Sequence, residues 1–307
     1  MTIRFSLRQL EYMVAVGEAG SVVSASQKVN VSSSSISAAI TQLETELGVQ
    51  LFVRQHAQGL YLTAGGQRIF NEAKRILHSA SMLSDLANDI VDTVRGPIVV
   101  GCFVTLAPLV SAAFRRSFSA ENPAVDITIR EGNQVELLAM LARAEIDIAL
   151  TYDLEIPTNY DFEGLIDLPP QIILAADHPL QNKAEVTLED LVDEPMVLLD
   201  MPLSRDYFLS LFHEHGLRPL IGERAANLAS VRSLVANGFG YGLLNARTKT
   251  NLSPDGETLL FCPLAGAHRP MVFGLATIKT AHSPRVVTAF ADHVRARVTT
   301  TGLPGLN

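Results

Sequence analysis

The chain has 307 residues, 48% hydrophobic and 18% charged, a balance that suits two or three compact units with real cores. Arg4, Arg8, Glu11 and Glu18 interrupt the first twenty residues, and no run approaches the ~18 apolar residues of a membrane span; neither a secretory leader nor a membrane partner is expected, and the cytoplasm is the expected compartment. The net charge of −8 is unevenly held, because residues 1–95 carry eight Lys or Arg against eight Asp or Glu and residues 96–307 carry sixteen against twenty-four. An acidic chain argues against nucleic acid, whose phosphates supply most non-specific affinity, but the neutral N-terminal part leaves that partner open. Cys102 and Cys262, 160 positions apart, make neither a CxxC pair nor a disulfide framework and read as small buried hydrophobes.

Leu7, Leu10 and Val14, with Met13 beside them, recur at helical spacing, so a first helix capped by Ser6 should end near Gly17 to Gly20. Ser21 caps a short helix from about Val22 to Lys28, and a break follows at Val29-Asn30-Val31, where Asn tolerates a left-handed backbone. A third helix starts at Ser32 or Ser33. Its Ile36, Ile40, Leu43 and Leu47 form one apolar stripe, and Ser33, Ser34, Ser35, Ser37, Ala38, Thr41, Gln42 and Thr45 lie away from it. Short hydrogen-bonding side chains let a helix approach a groove closely, with Gln42 able to reach a base edge. Taken alone, such a face also reads as a solvated surface. Gly48 ends the helix. Val49 to Val53 and Gly59 to Leu62 then alternate like a hairpin with Arg54, Gln55 and His56 at its tip. Helix, short helix, turn, helix and hairpin in about sixty residues is the winged helix-turn-helix plan, with a recognition helix for the major groove and a wing beside the backbone.

From Thr63 to Val94 there is no proline, and Ile69, Ile76, Leu83 and Ile90 recur every seven residues with Ala73, Ala80, Ala87 and Val94 four positions after each. The spacing predicts a helix of ~30 residues, ~45 Å long, whose seam exceeds what one small domain buries. Ile69, Ala73, Ile76, Ala80, Leu83, Ala87 and Ile90 are therefore expected at an interface with a second copy of the chain; packing on its own chain is the alternative. Arg95-Gly96-Pro97 ends the segment. Two copies would present two recognition helices to two half-sites.

Beyond Pro97, strand-like and helix-like segments alternate: Ile98 to Val104, Leu106 to Phe118, Val125 to Ile129, Glu136 to Ala144 and Asp147 to Thr151, then Ile172 to Ala175, Met196 to Leu199, Ser204 to His215, Leu228 to Asn237 and Tyr241 to Leu244. Such alternation predicts right-handed parallel crossovers in an open α/β sheet. Ligands of these sheets bind beyond the carboxyl ends of strands. That rule selects Phe103, Thr105, Asn133, Gln134 and Tyr152, with Leu203, Ser204 and Arg205 at a helix start whose amides favour an anion. A small organic anion held between Thr105 or Gln134 and Ser204 or Arg205 is the expected ligand; helix caps and surface contacts are the alternative roles for each polar residue, Ser204 above all. Gly238, Gly240 and Gly242 read as a turn, because phosphate loops need a strand before and a helix after.

Several motifs resemble the LysR-type transcriptional regulators over nearly the whole chain: Gly20-Ser21, Leu43-Glu44-Glu46-Leu47-Gly48, Leu51-Phe52-Arg54 and Leu62-Thr63-Ala64-Gly66, then Phe118 with Asn122-Pro123, Glu145 to Ala149, Asp177-His178-Pro179-Leu180 and Gly238 to Gly242. The resemblance implies a winged helix-turn-helix over 1–62, a linker helix over 63–95 and a two-lobed sensor like a periplasmic binding protein over 96–307. Lobe one would hold 96–167 and 272–300, and lobe two 168–271, with crossings near Asp167 to Gln171 and Arg269 to Gly274. It further implies promoter binding as a dimer or tetramer, a small effector between the lobes, and RNA polymerase as a further candidate partner. Where family members commonly carry a Gln-Pro pair and an early Arg in the recognition helix, this chain has Ser33, Ser34 and Ala38. The eight histidines are scattered without a metal spacing such as HExxH, so neither an enzyme nor a metal or other cofactor is expected. A transport solute-binding protein fits the lobes but not the winged helix. The closer rival is a thiol-based redox regulator using Cys102, against which its distance from Cys262 and expected burial argue.

Overall fold

The computed structural model describes residues 4–55, 59–90, 94–279 and 283–306. The chain divides after Thr93 into two compact units.

In the first unit, serines start the helices and left-handed residues stop them. α1 (Leu7–Ala19), α2 (Val22–Val29) and α3 (Ser33–Leu47) are capped by Ser6, Ser21 and Ser32, whose hydroxyls accept from the amides of Gln9, Ser24 and Ser35. Their C-caps are Gly20, Asn30 and Gly48, with φ of 61°, 52° and 66°. β1 (Phe52–Gln55) pairs antiparallel with β2 (Gly59–Leu62), Arg54 opposite Leu60 and Gln55 opposite Gly59. His56, expected at the wing tip, lies outside the described residues, as do the side chains of Arg54 and Gln55. Leu10, Met13, Val16, Ile36, Leu43 and Leu51 close the core, each worth roughly 1.5–3 kcal/mol of apolar burial.

α4 (Ala64–Ile90) corrects the expected seam. Phe70 and Ala73 are 7% and 1% exposed in this same core, and Ile69, Ile76 and Leu77 pack against it. The first part of the helix therefore covers α1 of its own chain: Ile69, Phe70, Ala73, Ile76 and Leu77 follow the i, i+1, i+4, i+7, i+8 rhythm of a broad amphipathic stripe, which the heptad reading had cut in half. Further on, Ala80 is half-buried and Leu83 is 71% exposed, while the side chains of Ala87 and Ile90, and residues 91–93 before the expected end at Val94, lie outside the description.

The second unit starts with β3 (Gly96–Phe103), α5 (Ala107–Glu121), β4 (Val125–Gly132), α6 (Gln134–Ala142), β5 (Ile148–Tyr152) and β6 (Tyr160–Leu168). A second lobe follows with β7 (Gln171–Ala175), α7 (Leu188–Leu191), β8 (Pro195–Leu199), α8 (Ser204–His213), β9 (Leu220–Ala225), α9 (Leu228–Ala236), β10 (Gly242–Leu244) and β11 (Leu259–Pro263). β12 (Met271–Ile278) and α10 (Arg285–Thr301) complete the first lobe. Its five-stranded sheet runs β4-β3-β5-β12-β6, with β3 parallel to β4 and β5 and with β12 antiparallel to β5 and β6. The sheet is mixed, where the alternation predicted parallel crossovers, because β12 enters from the second lobe against the direction of β5. The second lobe carries β10-β7-β11 and the parallel pair β8-β9, joined by a bridge between Met196 and Tyr241. Gly240, with φ of 129°, brings its backbone so close to Pro195 that a Cβ would lie 1.9 Å from the Pro195 carbonyl oxygen. That contact explains the glycine turn better than any phosphate could. Among the described residues no helix is long and apolar enough to cross a membrane.

Candidate functional site

Ile36 and Leu43 are fully buried and Ile40 is 7% exposed, so their stripe sets which face of α3 is presented to solvent. Ser34, Ser35, Ser37, Ala38, Thr41, Gln42 and Thr45 are exposed; Ser33 is half-buried, its hydroxyl donating to Ser26 Oγ at 3.0 Å and tying α3 to α2. Thr41 and Thr45 donate to the carbonyls of Ser37 and Thr41 at 3.0 and 2.8 Å, which satisfies both hydroxyls within the helix. Gln42 Nε2 donates to Glu46 Oε1 at 3.1 Å, an exposed bond that a base edge can replace. Glu44 Oε1 accepts from the amides of Leu51 and Phe52 at 2.7 and 3.3 Å and so fixes the exit from α3 into the hairpin.

Sequence reasoning missed two cations. Arg4 and Arg8, exposed at the start of α1, border one surface hollow with Gln42 and take part in no ion pair among the described residues. They were read only as breaking a leader peptide, whereas their place beside the third helix depends on how α1 crosses α3, which no linear pattern shows.

In the second unit, Phe103, Thr105, Tyr152 and Ser204 meet at one inner cavity of about 20 Å³ between the lobes. Phe103 and Tyr152 pack edge to face at 5.1 Å. Leu199, Phe208, Leu228, Leu244, Asn245, Ala246 and Met271 complete the lining. Asn245 Nδ2 donates to the Leu168 carbonyl at 2.8 Å and to Tyr207 Oη at 2.9 Å, and Tyr207 Oη donates to the Arg269 carbonyl at 2.7 Å. This network holds the two chain crossings together. Asn245 Oδ1 is buried without a hydrogen-bond partner, and burial pushes the phenol of Tyr152 up and that of Tyr207 up to about 12, so the cavity is uncharged at neutral pH.

The other expected ligand residues do other work. Asn133 Oδ1 accepts from the Glu136 amide at 3.1 Å and starts α6. Gln134, fully buried, accepts from Thr151 Oγ1 and donates to the carbonyls of Tyr152 and Leu154 at 3.1 Å, leaving it saturated within its own lobe. Leu203, half-buried with φ of 64°, turns the chain into α8. Arg205 pairs with Asp200 at 2.9 Å and Asp206 at 3.2 Å, and Arg205 and Arg224 together hold the Asp200 carboxyl below the usual range. The amides of Ser204 and Arg205 donate to the Pro202 and Met201 carbonyls, and Asp206 adds negative charge to the first turn. An anion at this helix start would thus meet occupied donors, and the Arg205 fork is engaged away from the cavity. Cys102 is fully buried in β3 with its thiol pushed up to about 12 by desolvation, and Cys262 sits in β11 of the other lobe.

A model of the LysR substrate binding domain matches residues 92–299, and one of the bacterial regulatory helix-turn-helix protein, lysR family, matches residues 7–67. The chain is 34% identical to the crystallised LysR family transcriptional regulator HinK of Pseudomonas aeruginosa, covering 96% of this chain and 99% of that one with a TM-score of 0.65. It is 28% identical to the hydrogen peroxide-inducible genes activator of Pectobacterium carotovorum subsp. carotovorum over 78% of this chain and 80% of that protein. To the transcriptional activator protein LysR of Escherichia coli (strain K12) it is 26% identical over 98% of this chain and 94% of that protein. With both models matched in order and nearly the whole length covered, the chain belongs to the LysR family of transcriptional regulators, with a helix-turn-helix at its N-terminus and a substrate-binding domain after it.

Proposed function

We propose that this regulator binds promoter DNA as a dimer or tetramer through α3 and the wing, and that a small effector between the sensor lobes alters that complex without being chemically changed. The observation that carries the reading is the exposed, uncharged face from Ser34 to Thr45 flanked by Arg4 and Arg8, which have no ion-pair partner among the described residues. Short side chains admit the helix to a major groove, Gln42 offers a bidentate amide, and the two arginines supply phosphate contacts that the helix lacks. The division follows function: 1–62 reads DNA, 63–95 pairs copies through the stretch around Leu83, and 96–307 senses. Such a protein works in the cytoplasm and acts on RNA polymerase at the promoter. The effector must bind two assemblies with different affinity, since equal binding shifts nothing.

The peroxide-named relative suggests a second reading, redox control through Cys102. A fully buried thiol whose pKa is about 12 is neither a thiolate nor open to peroxide, and Cys262 lies in a different sheet, so the ligand reading is favoured.

Protection mapping on the DNA upstream of its own gene tests the proposal. Two protected half-sites about one helical turn or a multiple apart are expected, and Gln42→Ala should cost about 1–3 kcal/mol at the specific site while sparing non-specific binding. No protection on that DNA, or full sequence preference in Gln42→Ala, would overturn it.

A further inference from the structure

The inner cavity holds about 20 Å³, room for one water, whereas a chamber of about 670 Å³ adjoins it through Thr105 and Leu228. The chamber has the size of a small-molecule site. Val104, Pro108 and Leu109 wall it from the first lobe, and Leu228, Leu252 and Pro254 from the second. Arg232 lies in the wall and is only 6% exposed. Its Nη1 donates to Thr248 Oγ1 at 2.9 Å, and its Nη2 to the carbonyls of Thr250 and Leu252 at 3.2 and 2.7 Å. Those bonds orient the guanidinium but do not neutralise it. No carboxylate pairs with it among the described residues. A second cation stands close by, since Arg247 and Arg232 lie 5.3 and 5.7 Å from the centre of the Phe261 ring, and Arg247 Nε is buried without a hydrogen-bond partner among the described residues.

Buried charges are ordinarily paired, because an isolated one is costly in an apolar setting. Two guanidiniums around one aromatic ring, Arg232 bonded to one hydroxyl and two carbonyls and paired with no carboxylate among the described residues, leave a positive site beside an apolar chamber. Glu131, exposed on the first-lobe rim of the chamber, disfavours a second negative charge on whatever enters. We propose that the outer chamber is the effector site and that it takes a monocarboxylate with an apolar body, the carboxylate directed to Arg232 and the body laid along Leu109, Leu228 and Leu252. This assignment rests on the regulator reading for its consequence, though not for the binding itself. It keeps an anionic effector but replaces Arg205, whose charge is already answered, by Arg232. The chamber spans both lobes, so an occupant would hold them at one separation.

The test compares 4-phenylbutyrate, 4-phenylbutanol and 4-phenylbutylamine as probes of the full-length protein by calorimetry. The carboxylate should bind at least about tenfold more tightly than the alcohol, the amount one charge-assisted hydrogen bond supplies, and the amine should bind worst. Arg232→Gln should erase the preference for the carboxylate. Because that side chain also holds the loop from Thr248 to Leu252, a second variant is needed. Ala229→Trp fills the chamber from an exposed position, leaves Arg232 in place, and should weaken both acid and alcohol. Equal binding of acid and alcohol to the wild type, a preference that survives in Arg232→Gln, unaltered affinity in Ala229→Trp, or no binding of the acid at millimolar concentration would each overturn the assignment. DNA affinity for the upstream fragment is measured without any probe. Its absence would overturn the regulator reading alone, and its presence together with failed probe binding would overturn the chamber alone.

Discussion

At Gly66 a Cβ would lie 2.0 Å from the Leu51 carbonyl oxygen, which is backbone and cannot swing aside. Thr63 Oγ1 fixes the approach by donating to the Gln50 carbonyl at 2.7 Å and accepting from the Gly66 amide at 2.8 Å. Gly66→Ala must therefore push α4 away from the hairpin, and a loss of about 1–3 kcal/mol is expected, the usual cost of overpacking. Thermal unfolding of the full chain followed by circular dichroism would read it, and unchanged melting would show that the contact does not hold the two elements. The Leu62-Thr63-Ala64-Gly66 motif was legible as a pattern, but its cause, a carbonyl facing the glycine, was not. At the inner cavity the strand-end rule picks out Phe103, Thr105 and Tyr152, because each closes or follows a strand that the sequence pattern shows. Asn245 obeys the same rule after β10 and was missed while the glycines before it drew the reading toward a turn. Arg205 was misplaced because a guanidinium beside Asp206 and five residues after Asp200 satisfies itself locally before it can serve a ligand. Arg232 gave no linear signal at all, since its charge is notable only once its burial is known.

Among the elements, those with local punctuation were readable and those defined by partners were not. Serine caps and left-handed stops placed α1 to α3 within a residue or two. β6 and β9 carry many exposed positions and, like β11, owe their existence to neighbouring strands, and β12 was read only as a return crossing. α10, with Val286, Phe290, Val294 and Val298 buried along one side, was legible by period and was left unassigned. The seam in α4 had the right residues and the wrong partner for its first half. From Ile69 to Leu77 the stripe is used within the chain, and Leu83, 71% exposed, marks where that use has ended. A leucine so exposed adds little to the stability of one copy, so Leu83→Lys should leave helix content unchanged. If α4 pairs copies there, light scattering should find the variant as a monomer; a monodisperse dimer would remove Leu83 from the interface.

At the scale of the whole molecule, charge decides how strongly one copy can hold DNA. The acidic excess lies in residues 96–307, and the neutral N-terminal part spends some of its cations on itself: Lys28 pairs with Glu18 and Arg75 with Glu72, each at 2.8 Å. Arg4 and Arg8 are exposed beside Gln42 and unpaired among the described residues. With so few free cations, one copy makes few phosphate contacts, and pairing multiplies them without adding any residue. The salt dependence of binding counts these contacts, because the logarithm of the affinity falls with the logarithm of salt by about 0.9 for each phosphate neutralised. Arg8→Ala should therefore flatten the slope of a bound dimer by about 1.8, one contact in each of two copies. Leu83→Lys should roughly halve the wild-type slope if each monomer keeps its own contacts. Gln42→Ala should weaken binding to the specific site and leave the slope unchanged, because a base edge releases no counterion. Fluorescence anisotropy over a series of salt concentrations reads all three variants against the wild type. A slope untouched by Arg8→Ala would take Arg8 off the phosphate backbone, and a wild-type slope retained in a monomeric Leu83→Lys would mean that pairing is not what makes the serine-rich helix bind.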